Sequence, residues 1–168
     1  MHRFSLVPAL LGLLLLAGPA HAISIGEKAP YFEAPSLRQG VPPIRFSGYK
    51  GKVVYLEFWA SWCGPCWDAF PHLEEIYAEM ADDGCEVIGI NVNEENPDAV
   101  KAARKLDVSF MLVRPTDDLL MQLYDVKELP YGVLIDRQGV VRATYSGLSR
   151  SDRADLKKMI KHLTWKGL

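Results

Sequence analysis

Two cysteines of this chain, Cys63 and Cys66, are separated by only two residues. If they join, they close almost the shortest loop that a disulfide can span. Such a loop adds little stability, because the stabilisation from loop closure grows with loop length. The chemistry of the bond is therefore the better reason for the pair. Disulfides form and break by attack of a thiolate on a sulfur, so the spacing predicts dithiol exchange.

The residues around the pair predict a different role for each cysteine. Apolar residues at helical spacing follow it, so Cys63 stands at the start of a helix, where unpaired N–H groups and the helix dipole stabilise a thiolate. Cys63 is therefore the predicted nucleophile. Cys66 lies one turn further in, where burial keeps it protonated until it resolves a mixed disulfide. Pro65 sets the backbone of the first turn, and Gly64 lets a partner's backbone approach.

Other sites built on two cysteines at this spacing need further residues. Haem attachment needs a histidine directly after the second cysteine, and that position is Trp67. Structural zinc needs a second ligand pair, for which only Cys85, His72 and His162 remain. A peroxidatic cysteine usually follows a threonine three residues earlier, and that position is Ala60. We therefore predict no metal and no cofactor.

The chain before and after the pair predicts a strand, a loop and a helix. Val53–Trp59 is β-branched and aromatic with a single charge, which is typical of a buried strand. Cys66–Met80 has apolar residues at helical spacing, and Pro71 is expected to kink this helix. Further strands are predicted over 85–92, 109–113, 131–136 and 140–145, and further helices over 96–106, 117–124 and 149–163.

This order of elements predicts an α/β fold with a central mixed β-sheet and helices on both faces, ending in an antiparallel hairpin and a helix. The loop with the cysteines then leaves the C-terminal end of a central strand, where open α/β sheets place their sites. Residues 23–52 are rich in proline and glycine, so we expect turns that wrap one edge of the domain.

The first 22 residues have the pattern of an export signal. A short basic start, Met1-His2-Arg3, precedes an apolar stretch and the small-x-small sequence Ala20-His21-Ala22. The apolar stretch is about a dozen residues long, whereas a membrane-spanning helix needs roughly 20. We therefore predict a cleaved signal peptide over 1–22, a domain over 23–168 and a periplasmic location. A membrane anchor facing the periplasm is the alternative.

The charge of the chain excludes one class of partner. Its 168 residues carry 19 lysines and arginines against 21 aspartates and glutamates, a formal net charge of −2. Nucleic-acid-binding domains concentrate basic residues in a patch or run, and none is present in the sequence. We therefore expect protein partners and no nucleic acid.

The segment around the cysteines resembles the active site of thioredoxins, in Phe58-Trp59-Ala60-Ser61-Trp62-Cys63-Gly64-Pro65-Cys66 and the later Pro71. The chain is also similar to the exported TlpA and ResA branch of that superfamily, in Gly26-Glu27-Lys28-Ala29-Pro30 and Ile135-Asp136-Arg137-Gln138-Gly139. This resemblance covers nearly all of residues 23–168. It implies a thioredoxin-like fold.

The same resemblance implies that Pro130 is the family's cis-proline, which flanks the dithiol and pairs with the extended backbone of a substrate. Leu129 and Tyr131, on either side of it, are then expected substrate contacts. Relatives commonly have threonine after the cis-proline, so the bulkier Tyr131 leaves the choice of substrate open.

Glu57 is the candidate proton-transfer group. It stands six residues before Cys63, where thioredoxins have a buried aspartate that exchanges protons with the second cysteine. Burial in a strand would raise its pKa toward neutral pH. The alternative is that its side chain reaches the surface or pairs with a lysine. ResA-like proteins often have a glutamate where this chain has Ala69, so Glu57 is expected to take over that role.

Three tryptophans lie near the predicted site. We expect Trp59 to be in the core and Trp62 to contact a partner, while Trp67 either extends an apolar docking patch or is incidental. Cys85, at the start of a predicted strand, is expected to be a buried apolar residue with no partner.

These features predict a protein-disulfide reductase, because the Gly64-Pro65 dipeptide resembles that of thioredoxin, a reductant. Its substrates would be proteins, with apocytochrome c as one candidate, and an electron donor on the membrane would be required. Two alternatives stay open. One is an oxidant of folding proteins like DsbA, and the other is a metal- or copper-binding module that uses both cysteines and a histidine.

Overall fold

The computed structural model describes residues 23–93 and 96–165, and the elements found there follow the predicted order closely. In chain order the strands and α-helices are β1 (Glu33–Ala34), β2 (Ile44–Arg45), β3 (Val53–Trp59), α1 (Gly64–Met80), β4 (Cys85–Asn91), α2 (Asn96–Ala103), β5 (Met111–Val113), α3 (Leu119–Leu123), β6 (Tyr131–Ile135), β7 (Val141–Ser146) and α4 (Arg150–Thr164), with a 3-10 helix over Phe46–Tyr49.

Strand β3 is the centre of a five-stranded sheet with the order β5-β4-β3-β6-β7. It runs parallel to β4 and antiparallel to β6, β4 and β5 are parallel, and β6 and β7 form an antiparallel hairpin. The sheet is therefore mixed, and the prediction of a mixed sheet that ends in a hairpin is confirmed. The chain leaves β3 at its carboxyl end, where open α/β sheets place their sites.

Every side chain of β3 is buried, and alternate ones enter two different apolar cores. Val53, Tyr55 and Trp59 pack in a core with residues of α1, α2 and α4. Val54, Leu56 and Phe58 pack in a second core with residues of α3 and of the N-terminal segment. The prediction of helices on both faces is therefore confirmed. Because side chains alternate along a strand, Glu57 lies on the α1 face with Tyr55 and Trp59.

The ends of two helices follow from their sequences. Helix α1 begins after Cys63, whose side chain accepts the Cys66 N–H, and it continues through Pro71 to Met80. Pro71 is within the helix and does not end it. Helix α4 begins with a capping box, in which Ser149 and Asp152 each accept the other's backbone N–H. A capping box satisfies two N–H groups that a helix start otherwise leaves unpaired.

The proline- and glycine-rich segment does more than wrap one edge of the domain, so that expectation is wrong. Its buried residues Ala34, Ile44 and Phe46 pack on the second face of the sheet. Isolated bridges join Ser36 to β5 and Lys28 to Val140, which directly precedes β7, at opposite edges of the sheet. The α-helix packed on this face, α3, has only five residues. The segment therefore buries apolar surface that α3 is too short to cover.

The predicted signal peptide, residues 1–22, lies outside the described residues. Over 23–93 and 96–165, no helix is both long and apolar enough to span a membrane.

Candidate active site

Cys63 and Cys66 form a disulfide with an S–S distance of 2.03 Å. Cys63 is the N-cap of α1, and its Sγ accepts the backbone N–H of Cys66 at 3.3 Å. Cys63 keeps 5% of its surface exposed, whereas Cys66 is fully buried. A thiolate arriving from solvent therefore reaches the sulfur of Cys63 first.

The loop ahead of Cys63 is held by the side chain of Asn93, just after β4. Its Oδ1 accepts the backbone N–H of Ser61 at 2.8 Å, and its Nδ2 donates to Ser61 Oγ at 2.7 Å. The Asn93 N–H in turn donates to Asn91 Oδ1 at 2.9 Å. From the other side, the indole N–H of Trp67 donates to the carbonyl oxygen of Ser61 at 3.0 Å. These bonds fix the path of the chain into the disulfide.

Asn91 and Asn93 are site residues that the sequence reasoning did not identify. Both are buried, and they lie at the carboxyl end of the strand that pairs with β3. Two amides at and just after the end of a largely apolar strand are a detectable signal, because buried polar groups need hydrogen-bond partners. Nothing in the sequence indicates that Asn93 bonds to Ser61, or that Asn91 accepts the backbone N–H of Asn93.

Glu57 is only 1% exposed, and the structure brings a tyrosine hydroxyl to it. The hydroxyl of Tyr55 donates to Glu57 Oε2 at 2.9 Å, whereas Oε1 has no hydrogen-bond partner in the described chain. Burial raises the pKa of Glu57 to about 8, and the hydrogen bond from Tyr55 offsets only part of that effect. The side chain neither reaches the surface nor pairs with any lysine of the described segments. The structure therefore disagrees with the alternative reading of Glu57.

Pro130 lies at the same end of the sheet as the disulfide loop, beside the carboxyl end of β3. The Leu129–Pro130 peptide is cis, as the resemblance implies. Tyr131, the next residue, pairs with Phe58 near the end of β3, so Pro130 is at the level where β3 runs into the loop. Pro130 is buried, and its carbonyl oxygen accepts the Gly147 N–H at 2.8 Å.

A groove of about 1060 Å³ opens beside this end of the sheet. Trp62, which is 71% exposed, and Leu129 both line it, together with the apolar side chains of Met121 and Val126. Its acidic lining residues outnumber the basic one, Lys127, which pairs with one of them at 2.9 Å. The acidic residues are Asp98, Asp118, Asp125 and Glu128.

The remaining expected contact residues are distributed around the site. Gly64 and Pro65 are exposed in the first turn of α1. Tyr131 is half-buried, with its ring centroid 6.3 Å from that of Phe58. Trp67 is half-buried and lines a separate depression with Phe70 and Pro71, so it is not part of the groove lined by Trp62.

The third cysteine is remote from exchange chemistry. Cys85 is buried and unpaired, and burial raises the pKa of its thiol to about 12. A thiol with such a pKa forms almost no thiolate at neutral pH, and the thiolate is the reactive species. Within the described ranges, no three histidine, cysteine or acidic side chains are grouped as metal ligands would be.

Comparison with known proteins places this geometry among thiol-disulfide exchange proteins. The AhpC/TSA family matches residues 25–144. The thiol-disulfide oxidoreductase ResA of Geobacillus kaustophilus is 33% identical over 126 residues, which is 75% of this chain and 71% of the relative. ResA of Bacillus subtilis is 33% identical over 141 residues, which is 83% of this chain and 78% of the relative.

Solved structures agree with the sequence comparison. A Chlorobium tepidum protein described as a thiol:disulfide interchange protein DsbE superposes with a TM-score of 0.80 and 32% identity, over 86% of this chain and 100% of that one. The exposed lipoprotein thioredoxin Etrx1 of Streptococcus pneumoniae superposes with a TM-score of 0.70 and 28% identity, over 80% of this chain and 100% of that one.

Proposed function

Because this chain belongs to the AhpC/TSA family as a ResA-like thiol-disulfide oxidoreductase with a thioredoxin-like fold, we propose that it reduces disulfides of exported proteins. The observation that carries the proposal is the Cys63–Cys66 disulfide at the start of α1, above a sheet face with a buried carboxyl. The direction of transfer rests on the resemblance of the Gly64-Pro65 dipeptide to that of thioredoxin.

The reduced enzyme would begin with Cys63. Its thiolate attacks one sulfur of a client disulfide, so a Cys63–client bond forms and the client's own S–S bond breaks. The departing client sulfur leaves as a thiolate and takes a proton from solvent. The unpaired N–H groups at the start of α1 favour the attacking thiolate, and the Cys66 N–H already points at Cys63 Sγ from 3.3 Å.

Cys66 would then resolve the mixed disulfide. Its thiol gives a proton to Glu57, and the thiolate attacks Cys63 Sγ, which restores the Cys63–Cys66 disulfide. The second client sulfur leaves and is protonated. Two electrons have then moved from the enzyme's dithiol to the client, which ends as two thiols.

Glu57 is suited to move this proton in both directions. With a pKa of about 8, it is mostly protonated at pH 7 in the oxidised protein. When a donor thiolate opens the disulfide at Cys63, the departing Cys66 takes that proton. The carboxylate left behind is the base that later accepts the proton back. A group whose pKa is near the working pH is the most effective in such a role.

The groove lined by Trp62 and Leu129 would hold an extended client segment next to Cys63, with Pro130, Tyr131, Gly64 and Pro65 around it. The excess of carboxylates along this groove favours client segments with basic residues near their disulfide, because complementary charge speeds encounter.

Residues 1–22 support export, so the proposed location is the periplasm or an equivalent compartment, after cleavage of the signal. A membrane electron donor would then re-reduce the dithiol, and apocytochrome c is one candidate client. Both assignments extend the family's chemistry to this chain.

The reduction potential of the Cys63–Cys66 couple tests the direction. It would be measured in dithiothreitol and glutathione buffers on a Cys85→Ala variant. A potential near that of thioredoxin, about −270 mV, supports a reductase, whereas one near that of DsbA, about −120 mV, makes the protein an oxidant. A chain with no reversible two-electron couple would contradict both functions.

A further inference from the structure

Tyr55 is a buried residue whose polar group is directed at the candidate proton-transfer site. It lies two positions before Glu57 on β3, so both side chains point to the α1 face. Its side chain is fully buried, and its hydroxyl donates to Glu57 Oε2 at 2.9 Å. The other carboxyl oxygen, Oε1, accepts no hydrogen bond from any described residue.

The neighbouring strands leave room for this arrangement. Gly89 of β4 and Gly132 of β6 are the residues in register with Glu57 on its two sides. A Cβ at Gly132 would lie 1.9 Å from the Tyr55 hydroxyl oxygen and 2.5 Å from Cζ of that ring. The tyrosine therefore occupies the space that a side chain at Gly132 would fill. Neither strand presents a polar side chain at this level, so Tyr55 supplies the hydrogen bond.

We propose that Tyr55 is a positioning residue of the exchange reaction, which holds Oε2 of Glu57 and leaves Oε1 to exchange a proton with Cys66. This inference rests on the proposed role of Glu57. In a fixed carboxyl group, one oxygen stays bound while the other meets the thiol. Without the hydroxyl, the carboxyl could rotate between orientations, and a misplaced proton acceptor slows the step that it serves.

The protonation of Tyr55 supports this role. Burial and the neighbouring Glu57 raise the pKa of Tyr55 well above 10, so the hydroxyl remains a donor over the whole range in which Glu57 titrates. A hydrogen bond to the carboxylate stabilises the charged form, and the bond from Tyr55 accordingly lowers the pKa of Glu57 against the larger effect of burial.

The other titratable groups around the pair are engaged elsewhere. From α1, Cys66 is held in the disulfide, and the partly buried Tyr77 packs on the ring of Phe110. From β7, the ring of Tyr145 lies 6.2 Å from that of Tyr55, and its hydroxyl donates to Asp155 of α4 at 2.9 Å. The second acid of α4 near the pair, Asp152, is held by the capping box.

A single-atom deletion, Tyr55→Phe, tests the proposal in the full chain. The readout is the titration of the Glu57 carboxyl, followed by carbon NMR with ¹³C-labelled glutamate and assigned by its loss in Glu57→Gln. We expect the midpoint to rise by about one pH unit, because the charged form loses a hydrogen bond. The pH dependence of disulfide reduction by dithiothreitol should shift in the same direction.

Tyr124→Phe is the matched control. Tyr124 is also fully buried, but it packs on the opposite face of the sheet and donates its hydroxyl to the Pro30 carbonyl oxygen at 3.4 Å. This variant should leave the Glu57 midpoint unchanged. Circular dichroism on both variants reports whether the fold is retained, which we expect because each keeps its ring.

The outcomes separate the two proposals. If Glu57→Gln keeps the wild-type pH dependence of reduction, Glu57 is not the proton-transfer group, and the proposed function of Glu57 fails. If Glu57→Gln loses that dependence while Tyr55→Phe titrates like wild type, only the positioning role of Tyr55 is overturned. A shift in Tyr55→Phe that Tyr124→Phe reproduces would also overturn it.

Discussion

The oxidised Glu57→Gln variant should be more stable than the oxidised wild type, and its advantage should grow as the pH rises. The folded carboxyl has a pKa of about 8, against an ordinary value of 4.5. Between these values the unfolded chain releases a proton that the folded chain keeps, so unfolding is increasingly favoured with rising pH. This is the opposite of a salt-bridged carboxylate, whose stabilising effect is lost as the pH falls.

The size of the effect follows from the shift. Each pKa unit corresponds to 1.36 kcal/mol, so ionisation of Glu57 in the unfolded chain lowers the free energy of unfolding by about 3 kcal/mol at pH 7 and by about 5 kcal/mol above pH 8. Small domains have a total stability of roughly 5 to 15 kcal/mol. A carboxyl group that destabilises the fold by this amount is expected where the reaction needs it.

Urea unfolding of the oxidised wild type and of Glu57→Gln, from pH 4 to pH 9, measures the effect. The two proteins should have similar stability near pH 4, where the carboxyl is neutral in the folded chain and mostly neutral in the unfolded chain. Their difference should then grow in favour of the variant and level off above pH 8, since all other titrating groups cancel in the comparison. A difference that stays constant over this range would refute the buried, neutral carboxyl.

Three further predictions concern other parts of the molecule. Cys85 should resist alkylation in the folded protein and react only after unfolding, and Cys85→Ala should exchange disulfides at the wild-type rate. Asn93→Ala should lower the free energy of unfolding by about 2 kcal/mol, because two hydrogen bonds to Ser61 are lost, and it should also slow exchange. Ser149→Ala should cost about 1 kcal/mol through loss of the helix cap, without affecting exchange. Urea unfolding and an insulin-reduction assay check the last two.

The parts of the fold that were predicted correctly depend on local patterns. The bounds of β3 follow from an uninterrupted β-branched and aromatic run, and the start of α4 follows from Ser149 and Asp152, which form a box within one turn. The packing of the N-terminal segment could not be predicted in this way. Its few buried residues are separated by turns. They cover a part of the sheet that is left exposed because α3 is short, and the length of α3 is not a property of the N-terminal segment itself.

The same distinction between local patterns and long-range packing holds for the candidate site. The helix start after Cys63 and the burial of Glu57 were predicted from local patterns and are observed. The roles proposed for Cys63 and Cys66 rest on residue type and spacing, and the role proposed for Glu57 rests on the resemblance to thioredoxins. Tyr55 and Glu57 are two positions apart on a strand, so the sequence pattern also predicts that their side chains lie on the same face of the sheet. The Asn93–Ser61 bonds could not be predicted, because they join two loops whose paths depend on the folded sheet.

The most direct test of the account is to trap the mixed disulfide on a Cys66→Ser variant. The reduced variant would be incubated with a disulfide-bonded peptide, and the adduct mapped by mass spectrometry. The account predicts one stable peptide adduct on Cys63, which dithiothreitol releases, and none on the Cys63→Ser variant. An adduct on Cys85, or no adduct with Cys63 intact, would contradict the assignment of Cys63 as the nucleophile of this enzyme.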